Sequence, residues 1–140
     1  MKAKIIFLLQ ICKHYPLTCA LIAAIWVVCF INIPETPLSH VSFIDKWTHF
    51  AMYAFLCIVV SAEHLHHRGM AAAKWGNMLV CWLWPVLMSG LIEILQANCT
   101  GGRRSGDWLD FAANAVGATI GMALIGILLA VYRARARRDW

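Results

Sequence analysis

The chain has 140 residues, enough for one domain, but 61% of them are hydrophobic and only 14% are charged. An ordinary soluble domain has about 45–50% and about 25% respectively. Too few polar residues remain to cover a water-facing surface, so a soluble enzyme, a disordered tail and a disulfide-framed secreted module are excluded. The net charge of +5 then needs a reading compatible with lipid.

In chain order, Lys2 and Lys4 precede a short apolar run, Ile5–Ile11, broken by Lys13, His14 and Pro16. With no convincing cleavage site after it, this reads as a short interfacial helix rather than a secretory signal. A bilayer-spanning helix needs roughly 20 mostly apolar residues. Four segments qualify: 17–33, bracketed by Pro16 and Pro34; 44–64; 75–96, in which Pro85 predicts a kink; and 107–132. None alternates with the two-residue period of a barrel strand. The expected fold is all-α: a polytopic membrane protein, one domain over 1–140, with four transmembrane helices in a bundle and the interfacial helix ahead of them.

Lysine and arginine orient the bundle. With both termini in the cytoplasm, the inner segments carry Lys2, Lys4, Lys13, Arg68, Lys74, Arg133, Arg135, Arg137 and Arg138, and the outer ones only Lys46, Arg103 and Arg104. The positive charge thus reflects topology and anionic lipid at the inner face, not nucleic-acid binding. The expected orientation is multi-pass with both termini cytoplasmic.

Ionisable groups inside a membrane are expensive and point to function. Here they converge at one depth on the outer side. Asp45, Lys46, His49 and Tyr53 open the second span; Glu93 and Gln96 end the third; Arg103, Arg104, Asp107, Asp110 and Asn114 fill the next loop and the outer half of the fourth. At about 100° per residue, Asp45, His49 and Tyr53 share one face, and Glu93 and Gln96 are surface neighbours. Asp107, Asp110, Asn114, Gly117 and Gly121 follow the three- and four-residue steps of a packed seam. Gly117-x-x-x-Gly121 has the spacing that lets membrane helices approach closely.

The loop Thr100-Gly-Gly-Arg-Arg-Ser-Gly-Asp107 sets two arginines just before a helix N-terminus, which attracts anions. The guanidinium fork suits phosphate or carboxylate, although the spacing is not that of a P-loop. Asp107 is also placed to cap the helix. Two readings stand side by side. In one, the cluster is a binding or catalytic site. In the other, it is a packing network in which Arg104 pairs with Asp107 or Glu93. Trp47, Trp75 and Trp108, at span ends, read as interface anchors.

No cofactor or metal is expected. The six cysteines form no CxxC pair, and those in the apolar spans read as small hydrophobes. Glu63 with His64-Leu-His66-His67 reads as a solvated loop rather than a metal site. No nucleophile elbow or Ser–His–Asp order is present.

Asp45-Lys46-x-x-His49-x-x-x-Tyr53, Glu93-x-x-Gln96 and Arg104-Ser-Gly-Asp107-x-x-Asp110-x-x-x-Asn114-x-x-Gly117-x-x-x-Gly121, in that order, resemble the VanZ-like membrane proteins over positions 45–121. The family pattern often has a proline before a single Gly-Arg; here two arginines stand in the loop, and the Ser-Gly-Asp spacing favours Arg104 as the match. The resemblance implies a small multi-pass protein of a bacterial cytoplasmic (inner) membrane, in a family whose namesake is associated with low-level resistance to the glycopeptide teicoplanin. The leading expectation is an outer-face site for an anionic envelope molecule, such as a polyprenyl phosphate or cell-wall precursor. In it Arg103 and Arg104, with Lys46, Gln96, Asn114, Asp45 and Tyr53 around them, hold the ligand. Glu93 and His49 are the best acid/base pair, with Asp107 and Asp110 beside them. The alternatives are a non-catalytic transport protein and a structural accessory protein.

Overall fold

The structure is a computed structural model that describes residues 2–31, 43–101 and 106–138, with no account of the side chains at 2–5, 7 and 8. The described chain is helical: α1 (Lys2–His14), α2 (Pro16–Phe30), α3 (Ile44–Arg68), α4 (Trp75–Cys99) and α5 (Trp108–Ala136), with one 3₁₀ turn at Met70–Ala72. At about 1.5 Å per residue, α3, α4 and α5 are longer than the roughly 30 Å hydrocarbon core of a bilayer. These three are long and apolar enough to cross a membrane. The fourth expected span is α2, apolar but with 15 residues, about 22 Å long; the end of that segment, from residue 32 on, lies outside the described residues.

Local chemistry sets the boundaries. Pro16 opens α2 at a position where its missing N–H costs nothing. α3 outruns its expected end at 64 to reach Arg68, so the histidines read as a loop lie on a helix; it stops at Gly69, whose φ of +68° suits glycine. α4 runs through Pro85 without interruption to Cys99.

Contacts fix the helix directions. Glu63 near the end of α3 reaches the start of α2, and Gln96 near the end of α4 reaches Cys29 near the end of α2. Asn114 meets Ser89, and Trp82 meets Thr119, so α4 and α5 are antiparallel. α3 and α5 run parallel and share the most extensive helix–helix interface. Glycine makes it possible: a Cβ at Gly117 would fall on the Phe50 carbonyl, and one at Gly121 on the Ala54 carbonyl. The four-residue step on α5 matches the four-residue step on α3, so two backbones touch along one seam.

The interior is mixed rather than oily. Tyr53, Leu56 and Ile92 are buried with Ile25 and Cys29 of α2. Meanwhile Trp84, Leu87, Leu91, Ile94, Leu124 and Leu128 are exposed on the outside. Large apolar residues facing outward around a core containing His49, Glu93 and Asn114 suit a hydrocarbon solvent.

Candidate functional site

The N-terminus of α3, the C-terminus of α4 and the N-terminus of α5 meet at one end of the bundle, and the expected polar residues meet there. Asp107 caps α5, its Oδ1 accepting from the Leu109 N–H at 2.8 Å. Its other oxygen accepts from Lys46 Nζ at 2.7 Å. Lys46 also donates to Asp110 Oδ1, so one ammonium ties α3 to the first turn of α5. The adjacent ammonium, and then the Leu109 N–H, hold the Asp107 carboxyl below its ordinary range.

One turn deeper, His49 Nδ1 lies 3.1 Å from Asn114 Oδ1, and Asn114 Nδ2 donates to Ser89 Oγ at 2.7 Å. Three helices contribute to this chain and all three side chains are buried. Since the Asn114 amide spends its nitrogen on Ser89, its oxygen faces His49, and Nδ1 is the protonated ring nitrogen. His49 Nε2 then points at Asp45 Oδ1 and Asp110 Oδ2, 3.8 Å from each.

Glu93 pins the loop that leads into α5. Its Oε2 accepts from the Asp107 N–H at 3.0 Å, while a Cβ at Gly106 would fall on the Glu93 carbonyl. The glycine of Ser-Gly-Asp is therefore there for close approach. Among the described residues, Glu93 Oε1 is buried with no hydrogen-bond partner, and an orphaned buried polar atom costs about 1–3 kcal/mol.

The sequence-predicted residues thus divide. Asp45, Lys46, His49, Glu93, Asp107, Asp110 and Asn114 assemble. Glu93 and Gln96 reach different partners: Gln96 Nε2 donates to the Cys29 carbonyl of α2 at 2.8 Å. No hydrogen bond joins Glu93 to His49 among the described residues. Arg103 and Arg104 lie outside the described residues; among the described residues, the cation on Asp107 is Lys46. Ser89 was missed, although it sits one helical turn before Glu93 on the same face of an otherwise apolar span.

Beside this network, α4 and α5 enclose an open groove of about 510 Å³. Its walls are apolar, from Val86, Leu87, Leu91, Ile94, Ala97 and Phe111, and Glu93, Gly106 and Asp107 stand at its polar end. That volume falls within the roughly 300–1,000 Å³ range of small-molecule sites.

At the opposite end, Glu63 accepts from the Leu17 and Thr18 N–H groups at 2.9 and 3.0 Å. It caps α2 from another helix. Tyr15 Oη lies 3.0 Å from His64 Nδ1, and His14 and His67 rings meet edge to face at 5.0 Å. These side chains bind α1 and α2 to the end of α3.

No curated protein and no solved structure matches the chain. A sequence model of the VanZ/LLP1 family matches residues 7–129. That match includes the three polar motifs and the glycine seam whose geometry is given above, and the chain belongs to the VanZ/LLP1 family.

Proposed function

We propose that this end of the bundle faces outward from a bacterial cytoplasmic membrane and binds an anionic, long-chain envelope molecule: a polyprenyl phosphate or a lipid-linked cell-wall precursor. The observation that carries the reading is the α4–α5 groove, apolar along most of its length, with Glu93, Asn98 and Asp107 as its polar lining. A ligand that fits is itself apolar along its length and polar at one end. Its chain lies along Leu87, Leu91 and Ile94, and its head group reaches Glu93 and Asp107. Arg103 and Arg104, next in sequence to the Gly106 end of the groove, supply its counter-charge, with Lys46 already offsetting Asp107. In a VanZ/LLP1 protein, a link to glycopeptide sensitivity follows from such a ligand.

The test is mass spectrometry of lipids that co-purify with the full chain in mild detergent, beside a Gly90→Leu variant. Gly90 lines the groove, and a Cβ there meets only the Phe111 ring at 3.4 Å, so a leucine fills the groove without unseating a backbone. Polyprenyl phosphate should be enriched over bulk phospholipid and fall several-fold in the variant. Bulk phospholipid alone, equal in both, refutes the reading.

A second reading has its own observation. The Lys46–Asp107–Asp110 and His49–Asn114–Ser89 networks join three helices and would do so with no ligand. On that reading the cluster is an assembly lock of an accessory protein, and alanine at His49 or Glu93 lowers membrane abundance together with function. A binding site loses function at full abundance.

A further inference from the structure

We propose that Asp45, His49 and Asp110 form a binding site for one divalent transition-metal ion, of which Zn2+ and Mn2+ suit the donors. One ligand atom from each lies within 4.8 Å of the other two. The inference stands independently of the lipid reading, since it uses neither the groove nor the loop arginines.

The carboxylates are held in the orientation a metal needs. Each has one oxygen turned to Lys46: Asp110 Oδ1 accepts a hydrogen bond from Nζ, and Asp45 Oδ2 lies 3.7 Å from it. The other oxygen of each, Asp110 Oδ2 and Asp45 Oδ1, is turned to His49 Nε2. Lys46 thus grips the backs of two carboxylates whose fronts converge on one imidazole nitrogen. Carboxylates and histidines that bind metals are oriented by outer hydrogen bonds of this kind.

His49 supplies the second, separate observation. Its side chain is more than nine-tenths buried, and among the described residues Nε2 has no hydrogen-bond partner, only the two carboxylate oxygens at 3.8 Å. With Nδ1 turned to Asn114, the neutral ring has its lone pair on Nε2, aimed between two carboxylate oxygens. Three lone-pair donors facing one point repel unless a metal ion or a proton stands among them. The surroundings add to the demand: Glu93 Oε1, buried and without a partner, lies within electrostatic reach of His49 and Asp110.

Bonds of about 2.1 Å around a tetrahedral ion put ligand atoms about 3.4 Å apart. The two 3.8 Å separations need to close by a few tenths of an ångström, and the third, between the two carboxylate oxygens and within 4.8 Å, by up to about 1.4 Å. Asp45, whose side chain is 59% exposed, has the freedom to supply most of the movement. One imidazole nitrogen with two carboxylates suits borderline Zn2+, and also Mn2+, which takes carboxylates readily, over Mg2+, which keeps its water.

The test is calorimetric titration of the full chain in detergent, stripped with EDTA, using Zn2+ alone, then Mn2+, then Mg2+. One Zn2+ per chain should bind, at least tenfold more tightly than Mg2+. Asp45→Asn, at an exposed position that tolerates change, and His49→Ala should each weaken Zn2+ binding tenfold or more. His66→Ala with His67→Ala, at the far end of α3, should leave it unchanged. No stoichiometric binding overturns the proposal, and so does equal affinity for Mg2+ and Zn2+, which would be charge screening. Binding that survives Asp45→Asn and His49→Ala but not the distal histidine changes would also overturn it.

Discussion

The α3–α5 seam makes the sharpest demand on the sequence. At Gly121 a methyl group would fall on the Ala54 carbonyl oxygen and stand 3.2 Å from both the carbonyl carbon and Cα of Ala54. Ordinary contact begins at 3.4 Å, and backbone cannot step aside as a side-chain tip can. Gly117→Ala meets the Phe50 backbone in the same way, with Phe50 Cα at 3.1 Å. Either change forces the helices apart, and overpacking of this kind costs about 1–3 kcal/mol. At roughly 3–4 °C per kcal/mol for a domain of this size, the melting temperature in detergent should drop by about 3–12 °C, and by more for Gly121→Leu. Gly126 lies on the same helix with nothing within 4 Å of its Cβ position, so Gly126→Ala is the internal control. It should be neutral or stabilising by up to about 1 kcal/mol, the usual gain of alanine over glycine in a helix. Static light scattering or thiol-dye melting of the variants decides the matter. If Gly121→Ala and Gly126→Ala melt alike, the two helices do not touch through the seam.

Three further outcomes follow from named contacts. Asp107 titrates below the unfolded-state value of about 3.9 because Lys46 and the Leu109 N–H favour its charged form. The stability it contributes is therefore present above about pH 4 and lost as pH falls through the depressed folded value. The melting gap between the native chain and Asp107→Asn should be open near pH 7 and shrink as the pH falls below about 4; a gap that widens on acidification refutes the pairing. Glu63→Ala strands the Leu17 and Thr18 N–H groups and should cost about 1–2 kcal/mol, as loss of a helix cap does. Its sign is in amide exchange, which should quicken at the start of α2 and not in α5. Cys99 and Cys12 are both exposed, at opposite ends of the bundle; in intact cells an impermeant maleimide should label Cys99 only, and labelling of Cys12 would invert the proposed orientation.

The sequence by itself determined what depends on local chemistry and on solvent. Apolar length gave α3, α4 and α5, because a backbone in lipid must satisfy its own hydrogen bonds. Period gave the shared face of Asp45, His49 and Tyr53 and the glycine seam of α5, since both follow from 3.6 residues per turn. Asp107 as a cap was legible for the same reason: its partner, Leu109, is two residues away. Only the tertiary structure decided the partners. That Gly117 and Gly121 meet Phe50 and Ala54, rather than lipid or α4, depends on how the helices are arranged around one another. That Lys46 rather than Arg104 takes the described contact on Asp107 depends on α3 and α5 running parallel with their first turns side by side. Gln96 looked like a companion of Glu93, yet a side chain three positions along points toward a different neighbour, and here that neighbour is α2. Glu63 looked like the edge of a solvated loop, yet the N–H groups of α2, which no residue of α2 can reach, lie beside it. Spacing along one helix fixes which side chains share a face; the packing of other helices fixes what that face meets.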